Sequence, residues 1–150
     1  LARAVAKQAR TRGRTIAFKE ASAAGRAGCQ SARWAATMAE ERLEGLTSTE
    51  VLQEILHVVT RRQGTVAARA VVQHVLGLVP LVLAIERADI VKATELLALY
   101  PQVSLRAAVH AATAMRAGIV DVVPVDRHFD VIAGLRRIDP SDADDVQALI

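Results

Sequence analysis

The eleven residues Val120–Asp130 (VDVVPVDRHFD) constrain the fold of this chain more than any other segment. A short β-branched run ends at a carboxylate, Asp126, which is followed at once by Arg127, His128 and Phe129. An apolar strand that stops at an acid puts that acid on the rim of a sheet. In open α/β folds, the rim at the carboxyl ends of the strands is where ligands and metals collect. A small-residue helix comes just before it, Ser104–Ala117 (SLRAAVHAATAMRA), closed by Gly118. Strands separated by helices imply a parallel sheet with right-handed crossovers.

The rest of the chain supplies more of both. Ser31–Glu44 reads as an amphipathic helix with Trp34, Ala35 and Met38 inward, ending near Gly45. Thr47 with Glu50 three residues later is a capping-box pattern that opens a helix through Arg62. Its broad apolar face is Val51, Leu52, Ile55, Leu56, Val58 and Val59, and Gly64 breaks it. Thr65–Leu76 reads as a further helix ended by Gly77. Leu78–Ile85 reads as a buried parallel strand: consecutive apolar residues with Pro80 near the start. Glu86–Leu99 is a helix on the spacing Ile90, Ala93, Leu96, Leu97, with Pro101 beyond it. Ser48 and Ser104 read as helix-start residues, Ile119–Val125 as a second strand and Leu135–Ile138 as a short third. Leu1–Arg10 favours helix by propensity and gives way to Thr15–Lys19, a possible strand.

Length sets the scale: 150 residues make one domain with a real core. Apolar residues are 52% and aromatic residues 3%, so that core must be built from Ala, Val, Leu and Ile. A single cysteine, Cys29, excludes an intramolecular disulfide and fits a reducing cytoplasm. The longest apolar run, Leu76–Ile85, is too short to span a membrane and contains Gly77 and Pro80. Residues 1–33 carry eight Lys/Arg against one acid, Glu20, whereas residues 139–150 carry four Asp and no base. A basic end can attract phosphate backbones, but no aromatic residue is interleaved for stacking, so a solvated arm is the plainer reading.

The acids carry the chemistry. Glu54 sits in the capped helix with Glu50 at i−4 and Val58 at i+4, so no base pairs with it locally. It is either a cation ligand or a residue on the solvated edge of its helix. Asp126 is either a rim ligand or an Asx-type cap on Arg127–Phe129. Asp130 reads as a surface residue and Asp121 as a turn acid. The four histidines, His57, His74, His110 and His128, show no zinc spacing and read as structural or surface residues.

Leu46–Thr60 (LTSTEVLQEILHVVT), Val103–Gly118, Val122–Phe129 (VVPVDRHF) and Gly134–Pro140 (GLRRIDP) stand in an order and spacing that resemble PIN-domain ribonucleases, the VapC-type toxins in particular. The resemblance covers about residues 31–140. It divides the chain into a basic, poorly matching segment (1–30), a PIN-like domain (31–140) and an acidic tail (141–150). It implies an α/β, three-layer fold: a central, mostly parallel sheet flanked by helices. It also implies a ring of acids holding Mg²⁺ or Mn²⁺ for phosphodiester hydrolysis, since hard cations prefer oxygen ligands. Carried over, Glu54 matches the family's helix glutamate and Asp126 its late strand-end aspartate, with Asp130 as an outer carboxylate. Arg61, Arg62, Arg106 and Arg127 become candidate phosphate contacts. The implied partners are single-stranded RNA, a small VapB-like antitoxin and a second copy of the chain, with no membrane.

Two departures accompany the resemblance. Where the family places an aspartate at the start of the small-residue helix, this chain has Ala107. The family's first strand also ends in Asp, yet no Asp precedes Asp89 here. The nearest echo is Thr15–Ala23 (TIAFKEASA), with Glu20 as a longer stand-in. The alternative is that residues 1–30 are unrelated to the family and the sheet lacks its central strand. The sequence thus points to an impaired metal-dependent endoribonuclease. Its rivals are an inactive PIN scaffold that binds antitoxin or RNA, and an all-helical Ala-rich interaction domain.

Overall fold

The structure is a computed structural model that describes residues 15–18, 44–79, 81–124, 126–139 and 142, with backbone alone at 15–18 and 44. Five strands form one sheet: β1 (Thr15–Phe18), β2 (Glu44–Ser48), β3 (Leu81–Leu83), β4 (Asp121–Val123) and β5 (Arg136–Arg137). Their order is β3-β2-β1-β4-β5, and all four pairings are parallel. The helices are α1 (Thr49–Gln63), α2 (Thr65–Leu78), α3 (Arg87–Leu99) and α4 (Leu105–Ala117), followed by a 3₁₀ turn, Arg127–Val131. This is the α/β architecture expected, a parallel sheet with helices against it; the all-helical alternative is excluded.

The central position belongs to β1. Ile16 pairs with Gly45 on one side and Asp121 on the other, and Phe18 lies opposite Val123. Ser48 lies opposite Leu83. The carboxyl ends of β1, β2, β3 and β4 therefore form one edge, and the chain leaves that edge into α1, into Ala84–Glu86 and into the turn at Asp126.

Alanine explains how α4 approaches the sheet. Ala107, Ala108, Ala111, Ala112 and Ala114 are buried in one cluster with Leu46, Leu83 and Val122 from the strands. Side chains this small let the helix axis come close, which suits a core nearly without aromatics. Phe129 and Ile132 close the same cluster. A second cluster, Val51, Ile55, Val59 and Ala68, joins α1 to α2.

Helix starts are set by hydroxyls. Ser48 Oγ accepts from the Val51 N–H at 3.4 Å and Ser104 Oγ from the Ala107 N–H at 3.2 Å, each relieving one orphan donor of a first turn. The expected capping box is thus displaced by one residue: Thr47 belongs to β2 and is buried, and Ser48 is the cap. The strand Glu44–Ser48 went unread because EGLTS has no β-branched run. The expected Ser31–Glu44 helix, with Trp34 and Met38, lies outside the described residues except at Glu44, which is in β2.

Other boundaries move for local reasons. Gly77 lies inside α2, which runs to Leu78. An isolated glycine weakens a helix without forbidding it, and here no C-cap geometry forms at that position. Gly118, by contrast, adopts φ 72° and ends α4 in the left-handed conformation. Ile90 was expected inward, but the buried positions of α3 are Asp89, Ala93 and Leu96. Asp89 replaces it because it has a partner: Arg116 Nε donates to Asp89 Oδ1 at 2.6 Å and Nη2 to Oδ2 at 3.0 Å. The same guanidinium reaches Glu86 Oε1 and the Ala84 carbonyl. Hydrogen bonding to Asp89 holds the Arg116 guanidinium above its ordinary pKa.

Candidate functional site

The carboxyl edge of the sheet gathers the candidate residues. Glu54, six residues into α1, is buried rather than on a solvated edge; its side chain is 4% exposed. A buried carboxylate needs positive charge nearby, and α4 provides it. Arg106 Nη1 stands 2.8 Å from Glu54 Oε1, and His110 Nε2 stands 3.5 Å from Oε2. Arg106 and His110 are four apart on one helix, so both reach the same point on α1. The sequence hid this because Glu54 and its two partners lie some fifty residues apart. What the text did offer was the i, i+4 spacing of Arg106 and His110 on a helix otherwise lined by alanine.

His110 is thus not a bystander. It also lines a cleft with Thr47, Ser48, Thr113, Pro124 and Phe129 among its walls. The cleft's cavity volume is about 30 Å³, room for a water or two rather than for a nucleotide. Thr47 Oγ1, fully buried there, has no hydrogen-bond partner among the described residues.

Asp126 follows β4 on the rim, and its carboxylate does two local jobs. Oδ1 accepts from the His128 N–H at 2.9 Å and lies 2.9 Å from His128 Nδ1. The Asx-type cap is therefore present. Asp130 pairs with Arg137 Nε at 2.7 Å, and Arg137 reaches Asp139 as well. Burial alone would lower the Arg137 pKa, but these two acids raise it overall. Asp121 is no turn acid: it is the first residue of β4, buried, and bound by Arg136 Nε at 2.6 Å. Arg61 and Arg127 are exposed, on the last turn of α1 and the 3₁₀ turn.

Ala107 is wholly buried at the third position of α4. Among the described residues no group of three or more His, Cys, Asp or Glu side chains is placed to hold a metal ion. Glu20 lies outside the described residues. Glu54 and Asp126, each already serving a protein cation, do not by themselves fit a resident divalent ion, which takes about six oxygen ligands.

Comparison with known proteins gives this geometry its class. The PIN domain family profile matches residues 23–135, beginning just past the central strand. A VapC ribonuclease of Mycobacterium bovis and ribonuclease VapC13 of Mycobacterium tuberculosis are each 36% identical over 98 residues, 65% of this chain and 73% of theirs. The fold is similar to the sarcin–ricin loop cleaving toxin VapC20 of Mycobacterium tuberculosis (TM-score 0.62, 20% identity, 81% of this chain and 98% of that one). It is also similar to DNA-bound VapBC from Salmonella typhimurium (TM-score 0.63, 15% identity, 85% and 98%). The chain belongs to the PIN-domain family, and within it to the VapC-type ribonucleases. No helix among the described residues is long and apolar enough to cross a membrane.

Proposed function

We propose that this chain is a VapC-like toxin, an endoribonuclease for single-stranded RNA of the Mg²⁺- or Mn²⁺-dependent kind, whose activity is impaired as the sequence stands. The observation that carries the reading is Glu54: an acid buried at the head of the site, on the helix that leaves β2, as a PIN nuclease requires. Asp126 is its counterpart on the rim beyond β4. The impairment follows from Ala107, whose methyl group fills the place where the family's aspartate would stand and can ligate nothing. The chain's own residues hold the site together: Arg106 and His110 fix the Glu54 carboxylate, and Asp126 fixes the turn that carries Arg127. Exposed Arg61 and Arg127 are the phosphate contacts of this reading. The partners are a VapB-like antitoxin and a second copy of the chain, in the cytoplasm.

An RNase assay on single-stranded RNA with Mg²⁺ or Mn²⁺ tests it. The parent chain cleaves slowly, and Ala107→Asp raises the rate by about tenfold or more, a barrier change of ~1.4 kcal/mol. Equal rates would remove Ala107 from the explanation.

A second reading is favoured by the same ion pair seen from its other side. Because Arg106 already neutralises Glu54, the chain can serve as a non-catalytic PIN scaffold that binds antitoxin or RNA. Absent Mn²⁺ binding at millimolar concentration, together with retained partner binding, would select this reading.

A further inference from the structure

We propose that Arg106 is a built-in cation that occupies Glu54 and keeps divalent metal away from it, so that removing its charge turns this spot into a metal site. The inference rests on the family assignment of Glu54, but its test reads metal binding and needs no RNA, so the two can fail separately.

The argument starts from burial. The Glu54 side chain is 4% exposed, while that of Arg106 is 59% exposed. Pairs between two exposed side chains contribute little, since water and salt screen them. A carboxylate withdrawn from water is different, because leaving it uncompensated is strongly unfavourable. Here both oxygens are engaged from within the protein, Oε1 by the guanidinium at 2.8 Å and Oε2 by the imidazole at 3.5 Å. A divalent ion approaching Glu54 must displace the guanidinium or sit beside it against like-charge repulsion. The neighbouring position offers no compensation, because Ala107 has no oxygen to add. One helix, α4, thus supplies the counter-charge at residue 106 and omits the ligand at residue 107. Arg106 is a positioning residue in this account, not a phosphate contact.

The probe is Mn²⁺ alone on the full chain, followed by loss of the free Mn²⁺ signal in electron paramagnetic resonance and by thermal melts. In the parent chain, Glu54-dependent binding is absent up to about 5 mM Mn²⁺. Arg106→Gln binds at least ~10-fold more tightly, and its melting temperature rises with Mn²⁺ by mass action. Arg106→Lys, which keeps the charge, behaves as the parent. Adding Glu54→Gln to Arg106→Gln abolishes the gain, as expected if the ion sits on that carboxylate. Should Arg106→Gln not fold in metal-free buffer, refolding by Mn²⁺ in circular dichroism is the same positive result. Failure of Mn²⁺ to bind or refold that variant overturns the proposal. So does Glu54-dependent binding by the parent as tight as that of Arg106→Gln.

Discussion

Asp89 and Thr47 are both fully buried polar side chains, yet they stand in opposite electrostatic situations. Asp89, 0% exposed, receives two hydrogen bonds from Arg116, and Arg116 spends its remaining donors on Glu86 and the Ala84 carbonyl. Removing only the cation leaves a charge stranded in the core. Arg116→Leu should therefore destabilise the fold by about 3 kcal/mol in urea denaturation, and the Asp89→Leu, Arg116→Leu double variant by less. Thr47 has the reverse problem, because its hydroxyl is buried without a partner among the described residues. Thr47→Val removes that desolvated oxygen at nearly constant shape, so it should raise stability by about 1 kcal/mol. A loss of stability would mean that the hydroxyl serves a ligand of the cleft.

At the scale of elements, the helices were read well because their signals are local. Ser48 and Ser104 lie beside the donors they cap, and Gly118 sits where the chain must turn left-handed. Each serine to alanine change should cost about 1 kcal/mol of stability, measured by thermal or chemical melting; no effect would show that the first turn is held by packing alone. The strands were less legible. β3 and β4 are only three residues each, trimmed from longer apolar runs, and β2 hides in EGLTS, where neither alternation nor β-branching marks it. What makes EGLTS a strand is its register between β1 and β3, a long-range fact. The site divides in the same way. Glu54 and Asp126 could be singled out from text, because an unpaired acid on a helix and an acid after a strand are local patterns. Arg106 and His110 as the partners of Glu54 could not, since they meet it only through the packing of α4 on α1.

For the whole molecule, the decisive element is β1. It is the only described part of the first forty residues, and it separates β2 from β4 in the sheet. Without it, two half-sheets would face each other with unpaired backbone donors and acceptors, which a core cannot tolerate. A chain that begins at residue 44 should thus fail to fold cooperatively, seen as loss of a sharp thermal transition. A cooperative melt of that fragment would show that the pairing of β1 is dispensable.

The outermost strands have a bearing on how copies of this protein meet. β5 is two residues long and both are arginines, one tied to Asp121 and the other to Asp130 and Asp139; β3, on the far side, is three residues. Borders this brief and this charged are poor templates for strand addition, the usual route to runaway stacking. Neither flank invites a neighbour to prolong the ribbon, so any assembly of this chain must be built by its helical surfaces and can stop at a defined number of subunits.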